Sequence, residues 1–144
     1  MQSLSNDLIG VAGVHCVVSE LSMRGIIALP TVRNTAGIDI ICANKNGSKT
    51  ALIQVKCSGK KVNFWPMPTE DKILSGKNCH YVFMRYLNEK GNFEIFLVEG
   101  RDVKKQVAKN MEYYRKKGRK EFPYFEICKE DERYYRRHWM QFRI

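Results

Sequence analysis

The feature that most constrains this chain is the dipeptide Asn46-Gly47, set between two strand-like runs, Ile38 to Ala43 and Lys49 to Lys56. Asn-Gly between alternating apolar runs is the strongest short-range hairpin signal, because both residues tolerate the positive φ of a type I′ turn. With these two at the turn's centre, Lys45 faces Ser48, Ala43 opposes Thr50, Ile41 opposes Leu52 and Asp39 opposes Gln54. Opposed residues share a face, and strand alternation adds Lys56 to it. The other face carries Ile38, Ile40, Ala51, Ile53 and Val55, all apolar and suited to packing against helices. One carboxylate, one amide and one ammonium therefore converge at the open end of the hairpin.

Around this hairpin the chain reads as helix, strands, helix. Asn6 is expected to cap a helix whose residues Leu8, Val11, Val14, Val18 and Leu21 follow helical spacing, with Gly25 as its stop. Ile26 to Thr31 reads as a short strand, Val62 to Glu70 as irregular, and His80 to Tyr86 and Phe93 to Val98 as two more strands. Asp102 is expected to cap a second helix that places Val103, Val107, Met111 and Tyr114 on one face and ends at Gly118. A short strand around Phe125 and a terminal helix complete the pattern. This order predicts an α/β fold with one central, mixed, mostly antiparallel sheet flanked by helices.

The 144 residues suit a single domain, 1–144, with a basic and aromatic extension over about 118–144. The chain holds 25 Lys and Arg against 15 Asp and Glu, a net charge of +10. That balance points to a polyanionic partner, nucleic acid before membrane, since no segment is long and apolar enough to span a bilayer. The charge is concentrated in residues 101–144, with 14 basic and 7 acidic side chains. Arg115, Lys116, Lys117, Arg119 and Lys120 form the densest run, and Arg133, Arg136 and Arg137 lie among Tyr134, Tyr135 and Trp139. As function this is a phosphate-tracking surface with aromatic platforms; as structure, cations at a helix C-terminus complement its dipole. Lys60, Lys61 and Arg33 are further candidate phosphate contacts, and Phe64 and Trp65 either rim the substrate or plug the core. The five cysteines include no C-x-x-C pair, and the first residues lack the pattern of a signal peptide, so a cytoplasmic location is expected. His15, His80 and His138 show no metal-ligand spacing.

The Asp39, Gln54, Lys56 group suits phosphodiester hydrolysis. Oxygen ligands hold a hard divalent cation, the cation acidifies a water, and an ammonium offsets charge on the phosphate. The plain alternative is a solvated polar end of an amphipathic hairpin. Gly37-Ile38-Asp39-Ile40-Ile41 followed by Leu52-Ile53-Gln54-Val55-Lys56 resembles the core motif of the PD-(D/E)XK, or restriction-endonuclease-like, nuclease superfamily. Within it the chain is most similar to small bacterial proteins that share Gly13-Val14-His15-Cys16-Val17, Arg33-Asn34-Thr35-Ala36-Gly37-Ile38-Asp39 and Phe64-Trp65-Pro66. The motif covers about residues 8–58, and the closer resemblance extends towards residue 100.

The resemblance implies a restriction-endonuclease-like core and a Mg²⁺- or Mn²⁺-dependent endonuclease acting on DNA. Asp39 and Gln54 would be the metal ligands, Lys56 would assist attack, and Glu20 would be the first-helix acidic residue near the metal; the plain alternative for Glu20 is a solvated or ion-paired side chain. Val14 stands where some relatives carry a glutamate after the helix glycine. Gln54 departs from the usual carboxylate and brings no charge to a metal. That departure keeps a second expectation open, a non-catalytic nucleic-acid-binding or partner-binding module on the same fold. Many nucleases of this fold cut both strands as dimers, so a homodimer is implied too, although the sequence shows no dimer face.

Overall fold

The computed structural model describes residues 4–32, 37–87 and 89–144. Its first helix, α1 (Asn6–Met23), is capped by Ser5 and not by Asn6. The Ser5 hydroxyl accepts the Leu8 N–H at 3.3 Å, and Asp7 lies in the first turn, where a carboxylate meets the positive end of the helix. Gly25 ends the helix at φ 78°. Its N–H donates to Ser22 and that of Ile26 to Leu21, the paired bonds of a Schellman cap.

The buried stripe of α1 is Ile9, Gly13, Val17 and Leu21, which corrects the face expected from Leu8, Val11, Val14 and Val18. Leu8 and Val11 are exposed, and Val14 and Val18 only border the core. Gly13 explains the rotation. A Cβ there would overlap Cys57 Sγ, so the missing side chain lets the helix backbone settle against the sheet.

The central sheet runs β1 (Ile27–Pro30), β2 (Ile40–Ala43), β3 (Thr50–Ser58), β5 (Cys79–Leu87), β6 (Asn92–Glu99). All its pairings are antiparallel except β3 with β5, which is parallel, so the sheet is mixed as expected. A parallel pair needs a crossover. Here it is residues 59–78, where β4 (Phe64–Pro66) forms inside the stretch expected to be irregular and pairs with β7 (Tyr124–Glu126) as a second, two-stranded sheet.

The hairpin register is the expected one, Ile41 against Leu52 and Ala43 against Thr50. Its turn is wider than the expected two-residue turn. Asn44 N–H donates to Lys49 C=O at 3.1 Å and Gly47 N–H to Asn44 C=O at 2.9 Å, so Lys45 to Ser48 form the loop with Gly47 at φ 72°. The side chains of Asn44 and Asn46 accept the N–H groups of Lys49 and Ser48, which stabilises the longer loop.

Two cores sandwich the sheet. On one face α1 and α3 (Glu132–Gln141) cover Ile40, Ile53, Val82 and Met84. On the other, α2 (Gly100–Lys116) and the β4–β7 sheet cover Tyr81, Phe83, Phe96 and Val98. The residue preceding α2 is Glu99, not Asp102, which falls in the first turn; Val103, Val107 and Met111 are buried and Gly118 ends the helix at φ 61°. Trp65 is a core residue, its ring 5.1 Å from that of Phe83 and its indole N–H on Met84 C=O, whereas Phe64 is exposed. The C-terminal stretch belongs to both cores through Phe125, Ile127, Trp139 and Phe142. Among the described residues no helix is long and apolar enough to cross a membrane.

Candidate functional site

The β2–β3 ladder changes character at Asp39. Ile40 faces Ile53, yet Asp39 N–H donates to the same Ile53 C=O at 2.9 Å, so two consecutive residues meet one. This local bulge replaces the regular Asp39–Gln54 opposition expected from the sequence, and bulges of this kind re-aim side chains. The carboxylate Oδ2 of Asp39 accepts the Val55 N–H at 2.7 Å, a donor that an unbroken ladder would give to Ile38 C=O. The Ile38 carbonyl is taken instead by the Thr31 hydroxyl at 2.5 Å, and Thr31 N–H holds Asp39 C=O at 2.9 Å. Asp39 is thus fixed from both neighbouring strands.

Gln54 and Lys56 lie on the sheet face of Tyr81 and Phe83, their partners across the parallel pairing. Gln54 packs beside Gly37, whose Cβ position is 3.5 Å from Nε2. Asp39 and Lys56 are both half-buried and influence each other's titration. Burial pushes the Asp39 carboxyl above its ordinary value, opposed by the Val55 N–H and the Lys56 charge. Burial pushes Lys56 below its ordinary value, opposed by Asp39. The two do not form an ion pair within 4.0 Å among the described residues.

Asp39 also borders a cleft of about 580 Å³ between α1 and the end of the sheet. Asp7, Val11 and His15, spaced four apart on α1, line it with Thr31 and Val55. The sequence points neither to Asp7 nor, beyond its lack of metal-ligand spacing, to His15 as a neighbour of Asp39. Their helical spacing on the first helix was the available signal, obscured because the apolar face of α1 was assigned to the wrong stripe. Glu20 is not brought to Asp39. Its Oε2 receives Arg24 at 3.0 Å and the Trp139 indole N–H at 2.8 Å, and it lines a separate cavity of about 390 Å³.

Among the described residues no group of three or more His, Cys, Asp or Glu side chains could hold a metal ion. Asp39 and Gln54 each carry an oxygen, the donor type that a hard cation such as Mg²⁺ takes, but the register at the bulge does not set them directly opposite each other.

The expected phosphate contacts divide. Arg115 is paired with Glu121 at 2.7 Å and Lys116 with Glu112 at 3.1 Å. Lys117, Arg119, Lys120, Lys60 and Lys61 are exposed and join no ion pair among the described residues. Arg33 lies outside the described residues. Comparison with protein-family models and with curated proteins finds no match to this chain.

Proposed function

We propose that this chain is a Mg²⁺- or Mn²⁺-dependent endonuclease-like protein that hydrolyses phosphodiester bonds of DNA on a restriction-endonuclease-like core. The observation that carries the reading is Asp39, half-buried at a cleft at the end of a mixed sheet, with the half-buried opposite charge of Lys56 near enough for each to shift the other's titration. Asp39 and Gln54 would hold the cation, which when bound supplies an acidified water and offsets phosphate charge. The Val55 N–H orients the Asp39 carboxylate before any ligand arrives. Lys56 stabilises the negative charge that builds on the phosphate as water attacks phosphorus and the ester P–O bond breaks. Its burial strengthens that interaction by keeping water away.

A second reading, a nucleic-acid-binding module without catalysis, is favoured by Gln54 itself, since an amide attracts a cation less than a carboxylate does. Nicking of supercoiled plasmid with Mg²⁺, Mn²⁺ or EDTA separates the two. The first reading expects metal-dependent nicking that disappears in Asp39→Asn, which keeps an acceptor for the Val55 N–H, and in Lys56→Ala, with unchanged circular dichroism. Salt-sensitive DNA binding without nicking, indifferent to both substitutions, would replace it with the second.

A further inference from the structure

Five aromatic rings form one connected cluster where the end of α2 meets the β4–β7 sheet. Tyr124 is its hub. Its ring lies 5.9 Å from Phe122, stacked, 6.3 Å from Phe64 and 6.5 Å from Tyr114, and Tyr114 in turn lies 5.8 Å from Tyr113. The core beneath is already closed by Phe125 and Trp65, which are 0% and 2% exposed. Yet Tyr113, Phe122 and Phe64 remain 55%, 45% and 42% exposed. Rings so open contribute little to folding.

The α2 end of the cluster is cationic, while Glu126 lies opposite Phe64 at the other end. From Tyr113 to Lys120 the chain carries Arg115, Lys116, Lys117, Arg119 and Lys120 and no carboxylate. Flanking Glu112 and Glu121 neutralise Lys116 and Arg115, which leaves Lys117, Arg119 and Lys120 facing solvent, with Lys117 Nζ 5.7 Å above the Tyr113 ring. The cluster lies on the outer face of the β4–β7 sheet, and the inner face of that sheet, Trp65 and Phe125, separates it from the strand of Lys56. Trp65, next to Phe64, packs on Phe83, and Phe83 is the partner of Lys56 across the parallel pairing. Exposed Lys60 and Lys61 lie on the chain between them.

We infer that this cluster is a stacking platform for a single-stranded stretch of nucleic acid. Aromatic faces accept any base, and cations around them track the phosphates. A duplex keeps its bases stacked on one another and offers such rings nothing. Binding at the platform stands independently of cleavage. Only the substrate class rests on the proposed nuclease reading, under which it becomes DNA with an unpaired strand leading from the cut site.

The test is fluorescence anisotropy in EDTA, with labelled single-stranded thymidine and uridine oligomers of about 20 nucleotides, a duplex of equal length, and anionic lipid vesicles as the competing polyanion. Tyr113→Ala and Phe122→Ala change exposed rings, and thermal melts establish that they fold. We expect the single strands to bind more tightly than the duplex, with either ring substitution weakening them about tenfold. Neutralising Lys117, Arg119 and Lys120 together should lower the slope of log affinity against log salt by about two. Tighter binding of one sugar identifies DNA or RNA as the natural strand and supports the platform either way. Absence of oligomer binding at low salt, binding that ignores both rings, or ring-dependent binding to vesicles alone overturns it. Plasmid nicking is measured separately, so cutting can fail while this binding holds, and the reverse.

Discussion

The N–H of Val55 donates to Oδ2 of Asp39 at 2.7 Å, so a side chain closes the β2–β3 ladder where a main-chain carbonyl would otherwise do so. The bond makes Asp39 part of the architecture as well as of the candidate site. An acceptor is required there, but a charge is not.

Asp39→Asn should therefore stabilise the fold. Burial raises the Asp39 pKa above 3.8, with the Val55 N–H and Lys56 opposing it. A raised carboxyl pKa means the unfolded chain ionises first, so stability falls as pH climbs from the ordinary value through the raised one, and the deficit persists above it. Asn keeps the acceptor and removes the deficit. Urea denaturation at neutral pH should show a gain of about 1 kcal/mol, shrinking to nothing in acid below the ordinary value. A variant less stable than wild type at neutral pH would mean the charge helps hold the fold.

Gln54→Glu should tighten divalent-metal binding about tenfold by adding a charged ligand. Calorimetric titration with Mn²⁺ of wild type, Gln54→Glu and Asp39→Ala measures this directly. Equal affinity in all three would remove the metal from the Asp39 end of the sheet.

Gly13→Ala tests the packing of α1. The added methyl overlaps Cys57 Sγ, and overpacking of this kind costs about 1–3 kcal/mol. Cys57→Ala in the same chain should recover most of the loss, a coupling that a double-mutant cycle reads. Gly100→Ala should cost more, because its methyl overlaps the Leu74 carbonyl oxygen, which belongs to the backbone. Additive losses at Gly13 and Cys57 would contradict the contact.

The four charges Arg85, Glu94, Glu132 and Arg136 should make the fold acid-sensitive. Arg85, 4% exposed, lies 2.8 Å from Glu94 and 2.9 Å from Glu132, while Arg136 reaches the same two carboxylates at 2.7 and 3.3 Å. Burial pushes Glu132 up, but the Arg85 and Arg136 guanidiniums outweigh it and hold its pKa below 4.5. A depressed carboxyl pKa contributes stability above the ordinary value that is lost as pH falls through the folded one. Glu132→Gln should cost about 2 kcal/mol at neutral pH and flatten the acid limb of the stability profile. Arg85→Ala, which leaves both carboxylates with Arg136 as their guanidinium partner, should cost about 3 kcal/mol. An unchanged acid limb in Glu132→Gln would move the sensitivity elsewhere.

Much of the fold was legible in the residues themselves. The hairpin register, the glycine stops at Gly25 and Gly118 and the order of helices and strands depend on alternation, backbone conformation and bonds between near neighbours. A short window of sequence contains all of these. Lys56 and Gln54 were placed on one face by the same logic. What only the tertiary structure decided involves partners far apart along the chain. Glu20 was expected near Asp39, and the fold carries it instead to Trp139, 119 residues later, on a separate cavity. The buried face of α1 waited on Cys57 entering the space at Gly13. The parallel pairing of β3 with β5 and the union of β4 with β7 depend on which loop closures the packed core rewards. The bulge at Asp39 is of this kind too. Alternation predicts a regular ladder, and only the competing claims of Thr31, Ile53 and Val55 on one short stretch of backbone turn the carboxylate to where it lies.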